Sequence, residues 1–448
     1  MAYNVNMNIN RHVLKNLEAW KALKSRMPLV LKGARQVGKT HLVREFSKQF
    51  PKYFEFNFQK NPNLKSFFEL SNDPIKIIES LSIHAQSKIN INKDLIFFDE
   101  VQDCPEALNS LKFFCENYPN AFIVAAGSLL GIYLSSHSFP VGKVKFQNVF
   151  PLSFSEFLEA MGEVSLSEIL FSSDFANTAT AEPNKDLINT INSFHLHLTE
   201  CLKKYYLLGG MPKIVSSHLE KIDAEELRED QLNLLLAYRA DFAKYSGPTN
   251  ALKILSVFEN IPKQLAKDNR KFQFKLLKDG ARFAEFSSAI DWLVSAGLCH
   301  KVPILEHAEI PLKVAQNENF FKLYFFDVGL LGALSDLPLS VFSSRDPLFS
   351  TFKGAFAENF FLQDFVARRK ESLFSWVGKM SEVDFLYTHE MSLYPIEVKS
   401  GESGKLKSLN VFASKYSPPF RTRCSLKPLE FNTQTNFRNF PLYLASRV

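Results

Sequence analysis

The sequence predicts an α/β protein in which two α/β regions flank a mostly helical middle. Three observations predict this organisation. Over roughly the first 150 residues, short apolar runs alternate with helical patterns, as in a parallel sheet wrapped by helices. From Leu152 to about Lys263 the pattern is mostly helical, and after a Ser/Asp/Pro linker at Ser340–Pro347 the α/β pattern restarts. A chain of 448 residues also exceeds one ordinary core, so two to four domains are expected.

The composition is that of a soluble globular protein, with 46% hydrophobic and 22% charged residues. The longest nearly apolar run, Ala121–Leu134, is too short to span a bilayer, and Met1–Asn10 lacks the apolar core of a signal peptide. The five cysteines lie far apart without a Cys-x-x-Cys pair, so they fit neither a zinc site nor a disulfide framework. We therefore expect a cytoplasmic protein with no membrane partner.

The positive charge is concentrated at the C-terminus. Residues 399–448 hold nine Lys or Arg against two Glu, a net charge of +7 in a chain whose total is +6. Such a segment is compatible with a phosphate-binding surface and equally with a solvated face.

A phosphate-binding loop is the most informative motif. It follows the apolar run Pro28–Leu31 and precedes an amphipathic stretch, Thr40–Phe50, in the strand–loop–helix context that the pattern G-x-x-x-x-G-K-[S/T] requires. Its glycines let backbone N–H groups turn toward a phosphate, Lys39 can reach the β- and γ-phosphates, and the Thr40 hydroxyl can ligate Mg²⁺. The sequence therefore predicts a nucleoside triphosphate site. The residues of the loop are Gly33, Ala34, Arg35, Gln36, Val37, Gly38, Lys39 and Thr40.

Two strands beyond the loop are predicted to complete this site. Parallel strands bring their carboxyl ends to the sheet edge where ligands bind, so Asp99 is predicted to hold Mg²⁺ and Glu100 to act as the general base. Ser128 follows the next strand and is predicted to contact the γ-phosphate or the attacking water, with a serine that opens a turn as the alternative. The predicted strands are Pro28–Lys32, Lys52–Phe58, Asp94–Asp99, Ala121–Ala126 and Lys145–Val149.

An arginine is needed if hydrolysis is fast, and two candidates are present. Arg35 lies within the loop, and Arg239 lies in a helical segment, where we favour a structural ion pair.

The middle of the chain contains a helix followed by two β-rich runs. The helix at Ala289–Val294 ends near Ala296-Gly297, and Leu298–Leu305 and Phe320–Phe326 then read as a hairpin. This is the pattern of a winged-helix module, and a helical subdomain with an appended hairpin fits equally well. Upstream, Gly209-Gly210 predicts a turn and the polar stretch Ser172–Lys185 predicts a mobile loop.

A second group of candidate site residues lies near the C-terminus. Ser381–Tyr387 and Leu393–Gly401 alternate around a turn, which predicts a β-hairpin with Asp384 opposite Glu397 and Lys399 on the same face. Two carboxylates facing each other repel unless a divalent cation lies between them, and Lys399 could orient an attacking water. Glu358, on a preceding helix, could supply a further acid. The alternative is an amphipathic hairpin with an exposed Glu–Lys pair.

These motifs resemble those of a widespread prokaryotic family of AAA-type ATPases that carry a C-terminal domain of unassigned function with a PD-(D/E)xK nuclease-like core. The resemblance runs through nearly the whole chain. Besides the loop, it is carried by residues 98–102, 126–131, 138–144, 151–154, 209–212, 327–331, 382–385 and 395–401.

The resemblance for the first and last regions, and the residue pattern for the two between them, give an expected architecture in four parts. They are an AAA-type ATP-binding domain with a P-loop NTPase parallel sheet (1–158), a helical lid region (159–263), a winged-helix-like module (264–339) and a restriction-endonuclease-like α/β domain (348–448).

The resemblance also implies residue roles. Gly38, Lys39 and Thr40 match the nucleotide-binding positions, Asp99 and Glu100 the Walker B pair, and Ser128 the sensor position. Asp384, Glu397 and Lys399 match the nuclease motif, with Glu358 as its helical acid, although Asp384 lacks the preceding Pro.

The function expected from the sequence is that of an Mg²⁺-dependent ATPase whose nucleotide state controls a nucleic-acid-directed C-terminal domain. ATP and Mg²⁺ are the expected cofactors, and DNA or RNA, a second copy of the chain or a protein partner are the expected partners. The alternative is a nucleotide-gated scaffold or regulator that binds nucleic acid or a protein without cleavage.

Overall fold

The computed structural model describes residues 9–128, 142–171, 185–267, 270–338, 350–401 and 406–448. The predicted mobile loop, apart from Lys185, and the linker at 340–347 lie outside these ranges, as does most of the block at 138–144. The chain forms two compact units. Among the described residues, the N-terminal unit comprises those of Arg11–Phe150 with Ser295–Leu298, and the C-terminal unit comprises residues 9 and 10 with those of Pro151–Val294 and Cys299–Val448.

The N-terminal unit is built on a five-stranded parallel sheet in the order β2-β3-β4-β1-β5. All five predicted strands are confirmed, each with ends within one residue of the prediction. The strands are β1 (Leu29–Lys32), β2 (Tyr53–Asn57), β3 (Leu95–Asp99), β4 (Phe122–Ala126) and β5 (Lys145–Asn148). The helices are α1 (Leu14–Lys21), α2 (Lys39–Ser47), α3 (Lys65–Glu69), α4 (Pro74–His84) and α5 (Pro105–Asn117), with 3₁₀ turns at Pro62–Leu64 and Val101–Asp103.

The register of this sheet aligns the ends of the strands that carry the predicted site residues. Ala126 pairs with Asp99 on one side and with Leu31 on the other. The loop after β1, the acids that end β3 and the serine after β4 therefore lie along one edge. All five residues of β3 are buried, as expected for a central strand covered on both faces.

The C-terminal unit contains a mixed eight-stranded sheet in the order β12-β13-β11-β10-β9-β8-β6-β7. Its strands are β6 (Cys299–Leu305), β7 (Phe321–Phe325), β8 (Phe374–Val377), β9 (Glu382–His389), β10 (Ser392–Val398), β11 (Arg421–Ser425), β12 (Glu430–Asn432) and β13 (Phe437–Pro441). The remaining helices are α6 (Phe154–Ala160), α7 (Val164–Phe171), α8 (Lys185–Ser193), α9 (His195–Leu208), α10 (Pro212–Leu219), α11 (Ala224–Ser246), α12 (Pro248–Leu265), α13 (Phe283–Ser295), α14 (Val328–Leu334), α15 (Ser350–Arg368) and α16 (Lys407–Tyr416). Further 3₁₀ turns lie at Phe274–Leu276, Leu312–Ala315 and Leu442–Arg447.

Both predicted hairpins form. The strands β9 and β10 are antiparallel, and so are β6 and β7. In addition β6 runs parallel to β8, with Ile304 opposite Ser375, so the β6–β7 hairpin extends the sheet of the last hundred residues. The winged-helix assignment stays a prediction, because a helix and hairpin are present but the hairpin is built into a larger sheet.

A close contact between the segment after α9 and the start of α14 explains two glycines of the C-terminal unit, Gly209 and Gly329. Gly209 follows α9 with a φ of 75°, and a Cβ there would lie 2.1 Å from Asp327 Oδ1. The N–H of Gly210 donates to Asp327 Oδ2 at 2.7 Å, and that of Leu330 donates to Oδ1 at 3.0 Å. A Cβ on Gly329 would in turn lie 2.4 Å from the Gly209 nitrogen. The two segments therefore fit together only because glycines occupy these positions.

Over the described ranges, none of the helices combines the length and the apolar character needed to cross a lipid bilayer. The five cysteines are free thiols.

Candidate functional site

The phosphate-binding loop is shaped by its glycines. A Cβ on Gly33 would lie 2.1 Å from the carbonyl oxygen of Val149, just after β5, so no side chain fits there. Gln36 and Gly38 both have left-handed backbone conformations, with φ of 65° and 92°. Gly38 directly precedes α2, and Gln36 lies two residues earlier in the same loop. Turns of this kind direct successive backbone N–H groups toward one side, where an anion can bind.

Lys39 is the first residue of α2, and its ammonium group is buried within the loop. Nζ donates to the carbonyl oxygens of Gly33 and Ala34, both at 2.9 Å. Burial lowers the pKa of Lys39 to about 8, although the nearby carboxylates of Glu100 and Asp99 act in the opposite direction. A desolvated ammonium group whose hydrogen bonds in the described structure go to neutral carbonyl oxygens is well suited to bind a negatively charged phosphate.

Asp99 is held at the sheet edge by three donors. The Thr40 hydroxyl lies 3.2 and 3.3 Å from its two carboxylate oxygens, Asn57 Nδ2 donates to Oδ2 at 3.0 Å, and the Glu100 N–H donates to Oδ1 at 3.1 Å. Burial and the neighbouring Glu100 raise the pKa of Asp99. The carboxylate therefore lies beside the hydroxyl with which it was predicted to share Mg²⁺.

Ser128 contacts Glu100 directly, a contact that the sequence analysis did not predict; its predicted contact with the γ-phosphate or the attacking water stays a prediction. The Ser128 hydroxyl donates to Glu100 Oε2 at 3.1 Å, and Gln102 Nε2 donates to the same oxygen at 2.6 Å. Glu100 has a φ of 50°, a left-handed conformation that is uncommon outside glycine and asparagine. Strained residues of this kind cluster at active sites when their neighbours fix them.

The loop residues and their neighbours fit a magnesium–nucleotide complex. Thr40 and Asp99 supply hydroxyl and carboxylate oxygens, which are the ligands that Mg²⁺ prefers. Lys39 supplies a buried cation, and Gly33 leaves room where any side chain would collide with Val149.

The structure assigns different contacts to three arginines that bear on the nucleotide site. Arg11, which the sequence analysis did not identify, donates to the carbonyl oxygens of Val37 at 2.8 Å and Phe150 at 2.7 Å, and so supports the loop from behind. Arg239 pairs with Glu259 at 2.7 Å, as the structural alternative predicted. Arg35 stays a candidate for the catalytic arginine.

The residues of the second predicted site lie near one another within the C-terminal unit. Phe385 pairs with Ile396, and continuing that register by one residue sets Asp384 opposite Glu397. Asp384 Oδ2 accepts the N–H of Val398 at 2.8 Å, and Lys399 Nζ lies 2.5 Å from Glu397 Oε1. Glu397 is only 6% exposed, so the alternative of an exposed Glu–Lys pair is wrong.

Glu358 joins these acids from α15, and the cluster contains cations that the sequence analysis missed. Tyr324 Oη donates to Glu358 Oε2 at 2.9 Å, and Arg270 pairs with Oε1 of the same carboxylate. Gly354, one turn earlier on α15, makes room for this guanidinium, since a Cβ there would lie 2.7 Å from it. Lys322 is fully buried on β7, and its Nζ lies 2.5 Å from Glu382 Oε1.

Lys322 also lies 4.0 Å from Asp384 Oδ1. We call the whole group the carboxylate cluster. Its acids are Glu358, Glu382, Asp384 and Glu397, and its cations are Arg270, Lys322 and Lys399.

Burial dominates the electrostatics of the carboxylate cluster. Burial, followed by repulsion from Asp384, raises the pKa of both Glu358 and Glu397. Burial lowers the pKa of Lys399, but attraction to Asp384 and Glu397 outweighs it, so the pKa ends above its usual value. Lys399 therefore stays protonated near neutral pH.

The donors of the cluster fit a divalent cation in type. Glu397 Oε2 is buried and has no hydrogen-bond partner among the described residues. A buried acceptor without a partner is rare in folded proteins, and a bound cation would satisfy it. The three cations nevertheless balance most of the negative charge, so the cluster is compatible with folding in the absence of metal.

Sequence signals existed for some of the missed residues. Asn57 ends an apolar strand at the same edge as Asp99, and Lys322 interrupts the otherwise apolar strand Phe321–Phe325. A polar residue that ends or interrupts an apolar strand indicates a candidate site residue. Gln102 lies in the block 98–102 that carries the family resemblance but was given no role, and no comparable signal marked Arg270.

Comparison with known proteins supports the N-terminal assignment. Residues 25–158 match the family model of an AAA domain. Residues 199–340 and 353–444 match the models of two domains of unknown function, DUF8612 and DUF4143. No curated protein matches the chain. The N-terminal unit is thus an AAA-type P-loop domain, by family match and by its parallel sheet.

Several solved structures are similar to the chain at low identity. The Walker-type ATPase PABY2304 of Pyrococcus abyssi is 14% identical over 73% of this chain and 96% of its own, with a TM-score of 0.44. The ORC1 protein of Aeropyrum pernix, solved in complex with DNA, is 12% identical over 74% and 94%, with a TM-score of 0.30. The Drosophila ORC bound to DNA is 14% identical over 72% and 94%, with a TM-score of 0.25. Scores of this size carry no argument about function.

Proposed function

We propose that this protein is an Mg²⁺-dependent ATPase whose nucleotide state controls a nucleic-acid-directed C-terminal domain. The observation that carries the first part is the position of the buried Lys39 ammonium on the carbonyl oxygens of Gly33 and Ala34, with Thr40 and Asp99 side by side. The AAA-domain match at residues 25–158 supports ATP as the nucleotide.

Each residue of the nucleotide site has a role that its contacts support. Lys39 and the loop amides would bind phosphate, and Thr40 and Asp99 would hold Mg²⁺, which would supply charge neutralisation. Glu100 lies at the end of β3 with one oxygen engaged by Ser128 and Gln102, and it accepts the proton of the attacking water. Ser128 orients the Glu100 carboxylate.

Two substitutions test the ATPase. Lys39→Ala should abolish both nucleotide binding and turnover, because it removes the buried cation. Glu100→Gln should retain binding of Mg²⁺–ATP but reduce turnover by about 10²-fold or more, since general-base catalysis contributes on that order. Lys48→Ala is the matched control, because Lys48 follows the same helix and pairs with Glu45 on the surface. If turnover survives in both site variants, the assignment is wrong.

For the C-terminal domain, we propose a metal-dependent phosphodiesterase site at the carboxylate cluster. The supporting observations are Asp384 and Glu397 on adjacent strands, the Glu397 Oε2 atom without a partner among the described residues, and Lys399 Nζ 2.5 Å from Glu397 Oε1. Asp384, Glu397 and Glu358 would hold the metal, and Lys399 would position the attacking water.

Lys399→Ala tests this site. It should stop cleavage of DNA or RNA in Mg²⁺ or Mn²⁺ while leaving ATP binding unchanged. Lys415→Ala, which removes an exposed lysine of α16, is the control that should cleave normally. Absence of cleavage by the wild-type protein across single- and double-stranded DNA and RNA would exclude the phosphodiesterase.

A second function, a nucleotide-gated scaffold that cuts nothing, is favoured by the internal cations. Lys322 and Arg270 already compensate the acids, as a structural network would. Part of the basic C-terminal charge is also internal, since Arg423 is 7% and Arg438 0% exposed. The scaffold predicts nucleic-acid or protein binding without cleavage, and gel-shift assays at two salt concentrations reveal whether phosphate contacts contribute.

A further inference from the structure

A cluster of three potential metal ligands lies in the C-terminal unit, and neither the nucleotide site nor the carboxylate cluster uses it. His197 and Cys201 are four residues apart on α9, so their side chains lie on the same face of the helix. Glu163 lies in the turn that joins α6 to α7. His197 Nε2 is 2.8 Å from Glu163 Oε1 and 3.9 Å from Cys201 Sγ, and the three ligand atoms all lie within 4.8 Å of one another.

In the structure His197 and Glu163 form a hydrogen-bonded pair beside Cys201, and shifts of about half an ångström in the ligand atoms would give a tetrahedral zinc site. Zinc bonds of about 2.0–2.3 Å place neighbouring ligand atoms about 3.3–3.6 Å apart, and the two observed distances fall on either side of that range. The same imidazole nitrogen faces both the carboxylate and the sulfur. We propose that Glu163, His197 and Cys201 bind Zn²⁺, with a water molecule as the fourth ligand.

The segments that carry the three ligands are fixed by hydrogen bonds and by packing between α9 and α6. The N–H of Glu163 donates to the Leu158 carbonyl at 2.8 Å, and the Glu163 carbonyl accepts the N–H of Ser167 at 3.0 Å, so this turn is fixed at both ends. On α9, the Tyr205 ring packs edge-on against Phe157 of α6, with ring centroids 5.1 Å apart. The distance between α9 and the α6–α7 turn is thereby set before any metal binds, which lowers the cost of assembling the site.

Exposure and donor type select the metal. Cys201 is 5% exposed, whereas the side chains of His197 and Glu163 are 51% and 33% exposed, so an ion can enter from solvent and reach a protected sulfur. Thiolate and imidazole donors favour Zn²⁺ over Mg²⁺, in contrast to the all-oxygen carboxylate cluster. Binding forms a zinc–sulfur bond and releases the thiol proton to solvent.

The sequence analysis missed this site because it considered the spacing of cysteines alone. A His-x-x-x-Cys pair on a helix supplies two ligands, and the third comes from a residue more than thirty positions away. Only the packing of α9 against the α6–α7 turn brings that residue into reach.

Titration of the full-length, metal-free protein with Co²⁺ tests the site. One equivalent should produce a thiolate-to-cobalt charge-transfer absorption, which Zn²⁺ should remove and a large excess of Mg²⁺ should not. Cys201→Ser and His197→Ala should each lose the absorption and weaken Zn²⁺ binding at least about tenfold. Cys115→Ser, which alters a partly exposed cysteine of α5, should behave like the wild type.

Two results would overturn the site: no charge-transfer absorption in the wild type, or an absorption that persists in Cys201→Ser. If Cys201→Ser fails to fold by circular dichroism, His197→Ala decides, because that imidazole is half exposed and its loss leaves the core intact. An unchanged zinc affinity in His197→Ala would then exclude the proposed ligand set.

Discussion

Gly209→Ala provides a direct test of how the segment after α9 and the start of α14 fit together. An added Cβ would lie 2.1 Å from Asp327 Oδ1, and the backbone there has a φ of 75° and a ψ of −168°. That conformation is nearly restricted to glycine and costs another residue about 1–3 kcal/mol. The displacement of Asp327, which also accepts the N–H of Gly210, adds about 1–3 kcal/mol.

Gly247→Ala separates these two contributions. Gly247 has almost the same backbone conformation, with a φ of 75° and a ψ of 160°, but a Cβ there would meet nothing within 4 Å. It should therefore lose only the backbone part. We expect the free energy of unfolding of Gly209→Ala to fall by about 2–6 kcal/mol, some 1–3 kcal/mol more than that of Gly247→Ala.

Urea unfolding followed by tryptophan fluorescence provides the measurement. In a Trp20→Phe background the two remaining tryptophans, Trp292 and Trp376, both belong to the C-terminal unit and report on it alone. Equal losses for the two glycine variants would show that the contact with Asp327 relaxes at no cost. The structural account of the Gly209 turn would then be refuted.

Three further predictions concern charge and its partners. Because burial lowers the pKa of Lys39 to about 8 and a bound triphosphate should raise it again, ATP binding at pH 8 should take up about half a proton. Calorimetry in buffers of different ionisation enthalpy measures this uptake, which should be smaller at pH 6.5; no difference between the two pH values would contradict it. Asn57→Ala removes a hydrogen-bond donor to Asp99 and should raise the Mg²⁺ concentration needed for half-maximal turnover about 10–100-fold. An unchanged Mg²⁺ concentration at half-maximal turnover would show that this hydrogen bond is dispensable. Lys322→Met should destabilise the C-terminal unit by about 3–5 kcal/mol, because it leaves buried carboxylates uncompensated, whereas Lys203→Met, which breaks an exposed pair, should cost at most about 1 kcal/mol in the same denaturation assay; similar losses in both would contradict the buried network.

Four strands of the N-terminal sheet could be predicted because they are short, largely apolar runs with clear boundaries, whereas β5 is mostly polar and exposed. The helix predicted at Thr40–Phe50 instead begins at Lys39 and ends at Ser47. The helix starts after Gly38, whose backbone is left-handed. Beyond its end at Ser47, the N–H groups of residues 48–50 each donate to the carbonyl three residues earlier, as in a turn rather than an α-helix, and Pro51 follows. Such boundary details depend on backbone geometry that periodicity does not encode.

The acids of both sites were predictable because they end or interrupt apolar strands. Their partners were not, since Asn57 reaches Asp99 through the pairing of β2 with β3, and Lys322 reaches Asp384 across the packed C-terminal unit. The burial of Glu397 was also hidden, because a hairpin alone does not reveal that β11 pairs with the other edge of β10. In each case the missing information was a contact between segments far apart in sequence.

The pairing of β6 with β8 has a practical consequence for dissecting this chain. A fragment starting at residue 348, where the sequence suggests a domain boundary, would lack β6 and β7 and would expose the edge of β8 to solvent and to other chains. It would also lose Lys322 and Tyr324, two of the groups that surround the acids. Fragments from Cys299 onward preserve the whole sheet, but only those that begin at or before Arg270 also keep its ion pair with Glu358. Activity measured on shorter ones would describe a different molecule.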